Sequence, residues 1–149
     1  MDKRTSLSSP SSSATYNINY HIVWCPKFRK DILKGRVKTF VEEQLETIAE
    51  TKGYKILEMK VMPDHIHLFI EANPFDSPTN IVKIFKGVTG LRMFKRFPEL
   101  QNELWRGVLW SPSYYVGTAG HVSADVIEKY IQEQQTKWNR RDSSTGQVQ

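Results

Sequence analysis

Residues 16–25 alternate without interruption. Tyr16, Ile18, Tyr20, Ile22 and Trp24 share one side of an extended chain, and Asn17, Asn19, His21, Val23 and Cys25 share the other. A period of two over this length excludes a helix and makes a strand with one buried face. Pro26 ends it. Such a strand is not stable alone: it needs neighbours to pair its backbone and a layer to cover its apolar face. The rest of the chain supplies both. Phe40, Val41, Leu45, Ile48 and Ala49 recur at helical spacing over 37–52, and Gly53 closes that helix. Residues 54–61 and 65–71 read as two strands around a tight Pro63-Asp64 turn. Residues 79–97 form a second helix with Ile81, Ile84, Phe85, Val88, Leu91 and Phe94 as its stripe, weakened at Gly87 and Gly90. Residues 114–117 make a short fourth strand, and Ser123 caps a final helix reaching about Trp138. The order β-α-β-β-α-β is the ferredoxin-like, RRM-like α+β pattern: an antiparallel sheet with helices on one face, plus a C-terminal helix.

At 149 residues one domain is expected. Residues 1–14 are Ser-rich and aperiodic and residues 140–149 are similar, so both read as disordered tails around a domain at 15–139. No apolar run reaches the roughly 18–20 residues that span a bilayer, and the start lacks a signal-peptide segment. The single cysteine, Cys25, excludes an intrachain disulfide and a four-thiolate zinc site. A cytoplasmic protein without a membrane partner is the expectation.

The net charge of +5 is uneven. Lys27, Arg29, Lys30, Lys34, Arg36 and Lys38 face one acid, Asp31; Lys83, Lys86, Arg92, Lys95, Arg96 and Arg106 face Glu99 and Glu103. Each cluster could be an ordinary solvated face. Interleaved aromatics (Phe28, Phe85, Phe94, Phe97, Trp105) favour nucleic acid.

Two features carry chemistry. In Val61-Met62-Pro63-Asp64-His65-Ile66-His67-Leu68, the strand period puts His65 and His67 on one face and Ile66 and Leu68 on the other. Two imidazoles one strand step apart can grip a cation, or simply form a hydrogen-bonded pair. Asp64 serves the turn, or supports a ligand from behind. On the final helix, Tyr130 and Gln134 stand at i and i+4 within the stripe that holds Val126, Ile127 and Ile131. The tyrosine fits a core site; a glutamine there has a use if its carbonyl oxygen meets a metal. His21 reads as structural, and His121 stands in the loop before the last helix.

Four segments together resemble a known family: Tyr20-His21-Ile22-Val23-Trp24-Cys25-Pro26-Lys27, Met62-Pro63-Asp64-His65-Ile66-His67-Leu68, Leu109-Trp110-Ser111-Pro112-Ser113-Tyr114-Tyr115 and Tyr130-Ile131-Gln132-Glu133-Gln134. They are similar, in order, to the single-tyrosine HUH transposases, the TnpA enzymes of small bacterial and archaeal insertion sequences that move as single-stranded DNA. The resemblance covers about residues 15–138. It implies that His65, His67 and Gln134 hold Mg²⁺ or Mn²⁺ and that Tyr130 is the nucleophile. It further implies recognition of DNA hairpins and a homodimer in which the tyrosine helix of one subunit completes the histidine site of the other. The Gly117-Thr118-Ala119-Gly120 stretch suits a helix that swings away from its own body. Lys27, Arg29, Lys30, Lys83, Lys86 and Arg92 are the candidates for DNA contact, Lys27 and Arg29 first because they leave the first strand near the histidines.

Competing readings are a replication-initiator or relaxase nickase, for which the chain has no fused domain, a domesticated nickase acting on repeated palindromes, and a non-catalytic ferredoxin-like nucleic-acid-binding module. The last stacks bases on sheet aromatics, and His65-Ile66-His67 stands where its third-strand signature would be.

Overall fold

The computed structural model describes residues 17–104, 107–118, 125–126 and 128–134. The expectations for both tails, Tyr16, Trp105, Arg106, Ala119-Gly120, His121, Ser123, Ile127 and Trp138 lie outside those residues.

The elements follow the expected order: β1 (Ile18–Trp24), a 3₁₀ turn (Lys27–Arg29), α1 (Gly35–Lys52), β2 (Lys55–Met62), β3 (His65–Ala72), α2 (Pro78–Arg96), a short α3 (Leu100–Glu103) and β4 (Tyr115–Gly117). Residues 128–134 are helical and are called α4. The sheet order is β2-β3-β1-β4, and every neighbouring pair is antiparallel. The β1-α1-β2 connection therefore steps over β3, which is the split arrangement of a ferredoxin-like fold.

Local chemistry sets the ends. Gly53, at φ 80°, turns α1 off with its N–H on the Ala49 and Glu50 carbonyls. Ser77 accepts a hydrogen bond from the Asn80 N–H at the start of α2, and Pro78 fits the first turn.

One face of the sheet is apolar. Ile22 and Trp24 from β1 and Ile66, Leu68 and Ile70 from β3 pack against Val41, Leu45 and Ile48 of α1 and Ile81, Phe85 and Met93 of α2. The α2 stripe differs from the sequence reading. Val82, Thr89 and Met93 are buried with Ile81 and Phe85, while Leu91 is 68% exposed. Contacts recurring every four residues advance round the helix, whereas the expected 81-84-88-91 series drifts the other way. Thr89 occupies a core place because its hydroxyl is satisfied: it donates to the Phe85 carbonyl at 2.6 Å and accepts from Trp110 Nε1 at 3.0 Å.

A β-bulge in β2 sets what stands beside the histidines. The pairing passes from Ile56↔Ile70 to Glu58↔Phe69, leaving Leu57 extra. Ile56, Met59 and Val61 thereby share the core side, and Lys60 and Met62 stand opposite His67 and His65. The second face carries His21, Val23 and Cys25, all buried, and α4 lies against it: Ile131 and Gln134 are buried, and the Tyr130 and Tyr115 rings are 6.5 Å apart. Among the described residues no helix is long and apolar enough to cross a membrane.

Candidate active site

The β2–β3 hairpin turns at Pro63-Asp64, as expected, and the Asp64 side chain does more than turn the chain. Asp64 Oδ2 accepts from Arg29 Nε at 2.7 Å, and Oδ1 lies 2.9 Å from His65 Nδ1. Burial would raise this carboxyl, but the hydrogen bonds from His65 and Arg29, and the charges behind them, hold it below the ordinary carboxylate value. Asp64 is therefore an acceptor at neutral pH.

His67 is buried, with Nε2 3.0 Å from His21 Nδ1. His21 in turn stacks on Phe69, with centroids 4.1 Å apart. The structural role expected for His21 thus has a specific object, the second imidazole of the pair. Register explains the contact: Val23 pairs with His67 and His21 with Phe69, so alternate residues of β1 and β3 share this face. Burial, and then the neighbouring His21, lowers the His67 pKa. That favours the neutral imidazole, the form that ligates metals.

His65 and His67 line one cleft of about 440 Å³, together with Arg29, Lys60, Met62, Asp64 and, from α4, Glu128, Ile131 and Gln132. Tyr130 and Gln134 do not line it. They lie against the segment before β4: Ser113 Oγ donates to Gln134 Oε1 at 2.7 Å, Ser111 Oγ donates to the same oxygen at 3.3 Å, and the Tyr130 hydroxyl is 3.2 Å from Ser113 Oγ. The one Ser113 hydroxyl hydrogen is given to Gln134, so Tyr130 donates to Ser113. Burial pushes the Tyr130 phenol above its usual pKa, and nearby Cys25 adds to the shift.

Lys86 secures the segment. Its ammonium donates to the carbonyls of Ser111 at 2.7 Å and Ser113 at 3.2 Å, and burial lowers its pKa to about 8. Cys25 beside it is buried, and desolvation pushes its thiol up to about 12. At neutral pH it is held in the thiol form.

The DNA-contact candidates divide. Lys30, Lys83 and Arg92 are exposed, with Arg92 Nη1 also on Gln44 Oε1 at 2.6 Å. Lys27 is buried, its Nζ 5.3 Å from the Phe28 ring centroid. Arg29 and Lys86 are engaged as described. Sequence reasoning did not assign His21 to His67, Arg29 to Asp64, or Ser111 and Ser113 to the tyrosine helix. The two serines stand inside a segment that carries the family resemblance, and that was the available signal.

Residues 14–134 match the protein family described as "Transposase IS200 like". The chain is 39% identical over 122 residues to the ISDra2 transposase TnpA of Deinococcus radiodurans, covering 82% of this chain and 87% of that protein. It is 33% identical over 119 residues to the transposase for insertion sequence element IS200 of Salmonella typhimurium, covering 80% of this chain and 78% of that one. A crystal structure described as that of a Deinococcus radiodurans R1 transposase superimposes with a TM-score of 0.79 at 34% identity, covering 85% of this chain and 98% of the other. The matched stretch contains the hairpin with its two histidines, the serine segment and α4 with its tyrosine, and on that ground the chain belongs to the IS200-like transposase family.

Proposed function

We propose that this protein cleaves and rejoins single-stranded DNA at the ends of an insertion sequence, in the cytoplasm of a bacterial or archaeal cell. Tyr130 is the nucleophile. Its phenolic oxygen attacks the scissile phosphorus in line, the 3′-oxygen leaves and takes up a proton, and a 5′-phosphotyrosine remains. Because the ester is conserved, another 3′-hydroxyl can reverse the step and join new ends.

His65 and His67 fit two positions of a divalent cation site: they open on one cleft, and His67 is held in its neutral form. Among the described residues no three or more His, Cys, Asp or Glu side chains gather into a metal-holding group. The third donor is Gln134, whose amide oxygen suits Mg²⁺ or Mn²⁺. Such an ion supplies charge neutralisation and orientation of the scissile phosphate.

The observation that supports this assembly is the division of α4. Glu128, Ile131 and Gln132 wall the histidine cleft, whereas Tyr130 and Gln134 meet the serines. At 100° per residue the two groups are centred about 130° apart on the helix. This placement of α4 does not bring Tyr130 and Gln134 to the cleft, which supports working sites that are composite in a homodimer: His65 and His67 from one chain, Tyr130 and Gln134 from the other. DNA hairpins are the proposed recognition element, with Lys30, Lys83 and Arg92 the exposed cations that can meet their phosphates.

The test is a denaturing gel with end-labelled single-stranded insertion-sequence ends and Mn²⁺. Wild type should give a covalent protein–DNA band, and Tyr130→Phe should give none while still shifting hairpin DNA on a native gel. A heterodimer of Tyr130→Phe and His65→Ala chains should regain about half of wild-type first cleavage, since one site then carries both lesions and the other neither. A persistent band in Tyr130→Phe sinks the nucleophile assignment; an inactive heterodimer that still binds DNA sinks the composite site.

A further inference from the structure

His65 is a useful ligand only if a ring nitrogen with a free lone pair meets the ion. A neutral imidazole has two tautomers, and its neighbours decide between them. Here the neighbour is Asp64, whose two oxygens are divided between Arg29 Nε at 2.7 Å and His65 Nδ1 at 2.9 Å. An ionised carboxylate only accepts hydrogen bonds, so His65 Nδ1 must carry the proton. The remaining nitrogen, Nε2, lies across the ring, and the ring borders the cleft.

A second observation concerns how Arg29 arrives there. Phe28 and Arg29 are consecutive non-glycine residues in the left-handed region, at φ 61° and 52°. Such residues persist only where the surroundings over-determine them, and they cluster at functional sites. The surroundings are explicit: Arg29 N–H donates to the Pro26 carbonyl at 2.8 Å, Lys27 N–H donates to the Leu109 carbonyl at 2.8 Å, and Pro26 bridges to Trp110. The strained turn is tied to Leu109 and Trp110 on one side and ends, through the Arg29 guanidinium, on Asp64.

We propose that Arg29 and Asp64 form a positioning unit that fixes His65 as the Nδ1-protonated tautomer and thereby presents Nε2 as its metal-ligating atom. Arg29 holds the carboxylate in place through Oδ2, and Asp64 orients the ring through Oδ1. This makes Arg29 a positioning residue for His65, where charge clustering had suggested a DNA contact. The inference rests on the metal-dependent reading above, with a readout of its own.

The experiment uses full-length protein labelled with ¹⁵N-histidine, imidazole NMR to assign the His65 tautomer, and Mn²⁺ titration followed by electron paramagnetic resonance. In wild type His65 should be protonated at Nδ1 and Mn²⁺ should bind. In Asp64→Ala the ring should relax to a mixture of tautomers, and Mn²⁺ affinity should fall about 10- to 100-fold, as for lost outer-shell partners elsewhere. Arg29→Gln should weaken Mn²⁺ binding by a smaller factor. Asp64→Asn, which has one acceptor oxygen for two donors, keeps the question open to test should the alanine variant fail to fold; it should lose several-fold. A wild type that binds Mn²⁺ while the Asp64 variants bind equally well, or an unchanged tautomer in a folded Asp64→Ala, overturns the positioning role alone. A wild type that binds no Mn²⁺ overturns the metal reading itself.

Discussion

Along β3, Ile66, Leu68 and Ile70 are fully buried against α1 and α2, while His65 and His67, of the opposite parity, stand on the face covered by α4. The same contrast runs along β1 and into the residue after it, with Ile22 and Trp24 on the first side and His21 and Cys25 on the second. The first interface is held by apolar area. The second is held by directed contacts: His21 to His67, Arg29 to Asp64 to His65, and the two serines to Gln134, with Lys86 of α2 fixing the serine segment from the other side through two carbonyls. Apolar packing tolerates small rearrangement at graded cost, whereas a hydrogen-bonded site works only with every partner in place. One sheet thus separates apolar packing from its polar cluster by the parity of its residues.

The largest effects should come from breaking that separation on a single strand. His65→Ala should lower first cleavage by at least about 100-fold while costing on the order of 1 kcal/mol of stability. Leu68→Ala, on the opposite parity, should cost about 2–5 kcal/mol and leave the activity of the remaining folded protein near wild type. Urea melts and single-turnover cleavage on both variants measure this. Equal losses in both assays for both variants would erase the distinction between the faces.

A smaller effect should appear with alkali, on the α4 side. The Cys25 thiol ionises near 9.0 when exposed and near 12 when buried, so above about pH 9 the unfolded chain releases a proton that the folded chain keeps. The unfolded state then binds fewer protons, and stability falls as pH rises through this window. The raised Tyr130 phenol acts in the same sense, as does that of Tyr54 in the core of the opposite face. Lys86, lowered to about 8 from 10.5, acts in the opposite one, since its unfolded form holds the extra proton between those values. Cys25→Ala should therefore flatten part of the alkaline decline in thermal melts between pH 8.5 and about 11, with little change at pH 7. A decline as steep as that of wild type would exclude the thiol as a contributor.

The smallest effect belongs to the outer side of α2. A Cβ at Gly87 would have nothing within 4 Å, and Gly87 is exposed. Gly87→Ala should stabilise the protein by about 1 kcal/mol through helix propensity, read as a higher urea midpoint, without altering cleavage. A loss of activity would tie this flank of α2 to the DNA.

Much of the first face was legible in the residues. Alternation in β1 and β3 and the stripe of α1 report burial against one broad layer, a property of spacing alone. The α2 stripe was legible only in part, because Leu91 fits the period equally well and the path of the helix over the sheet decides which flank is covered. At the site, residue types pointed to His65, His67, Tyr130 and Gln134, and the resemblance assigned their roles. The partners of those residues were not legible. His21 reaches His67 through a cross-strand register, Arg29 reaches Asp64 through a left-handed turn, and the serines reach Gln134 through the lie of α4.

The sequence by itself determined the element order, the parity that sends Leu68 inward and His65 to the other face, and the pairing of Tyr130 with Gln134 on one helix turn. These follow from periods of two and 3.6 residues, which each segment carries locally. The tertiary structure decided what each polar group meets. It set the bulge that places Lys60 and Met62 beside the histidines, seated Tyr130 and Gln134 on Ser113, and divided Asp64 between Arg29 and His65. A hydrogen bond of about 3 Å between residues far apart in the chain depends on register, crossing and backbone handedness together, and no local period encodes those.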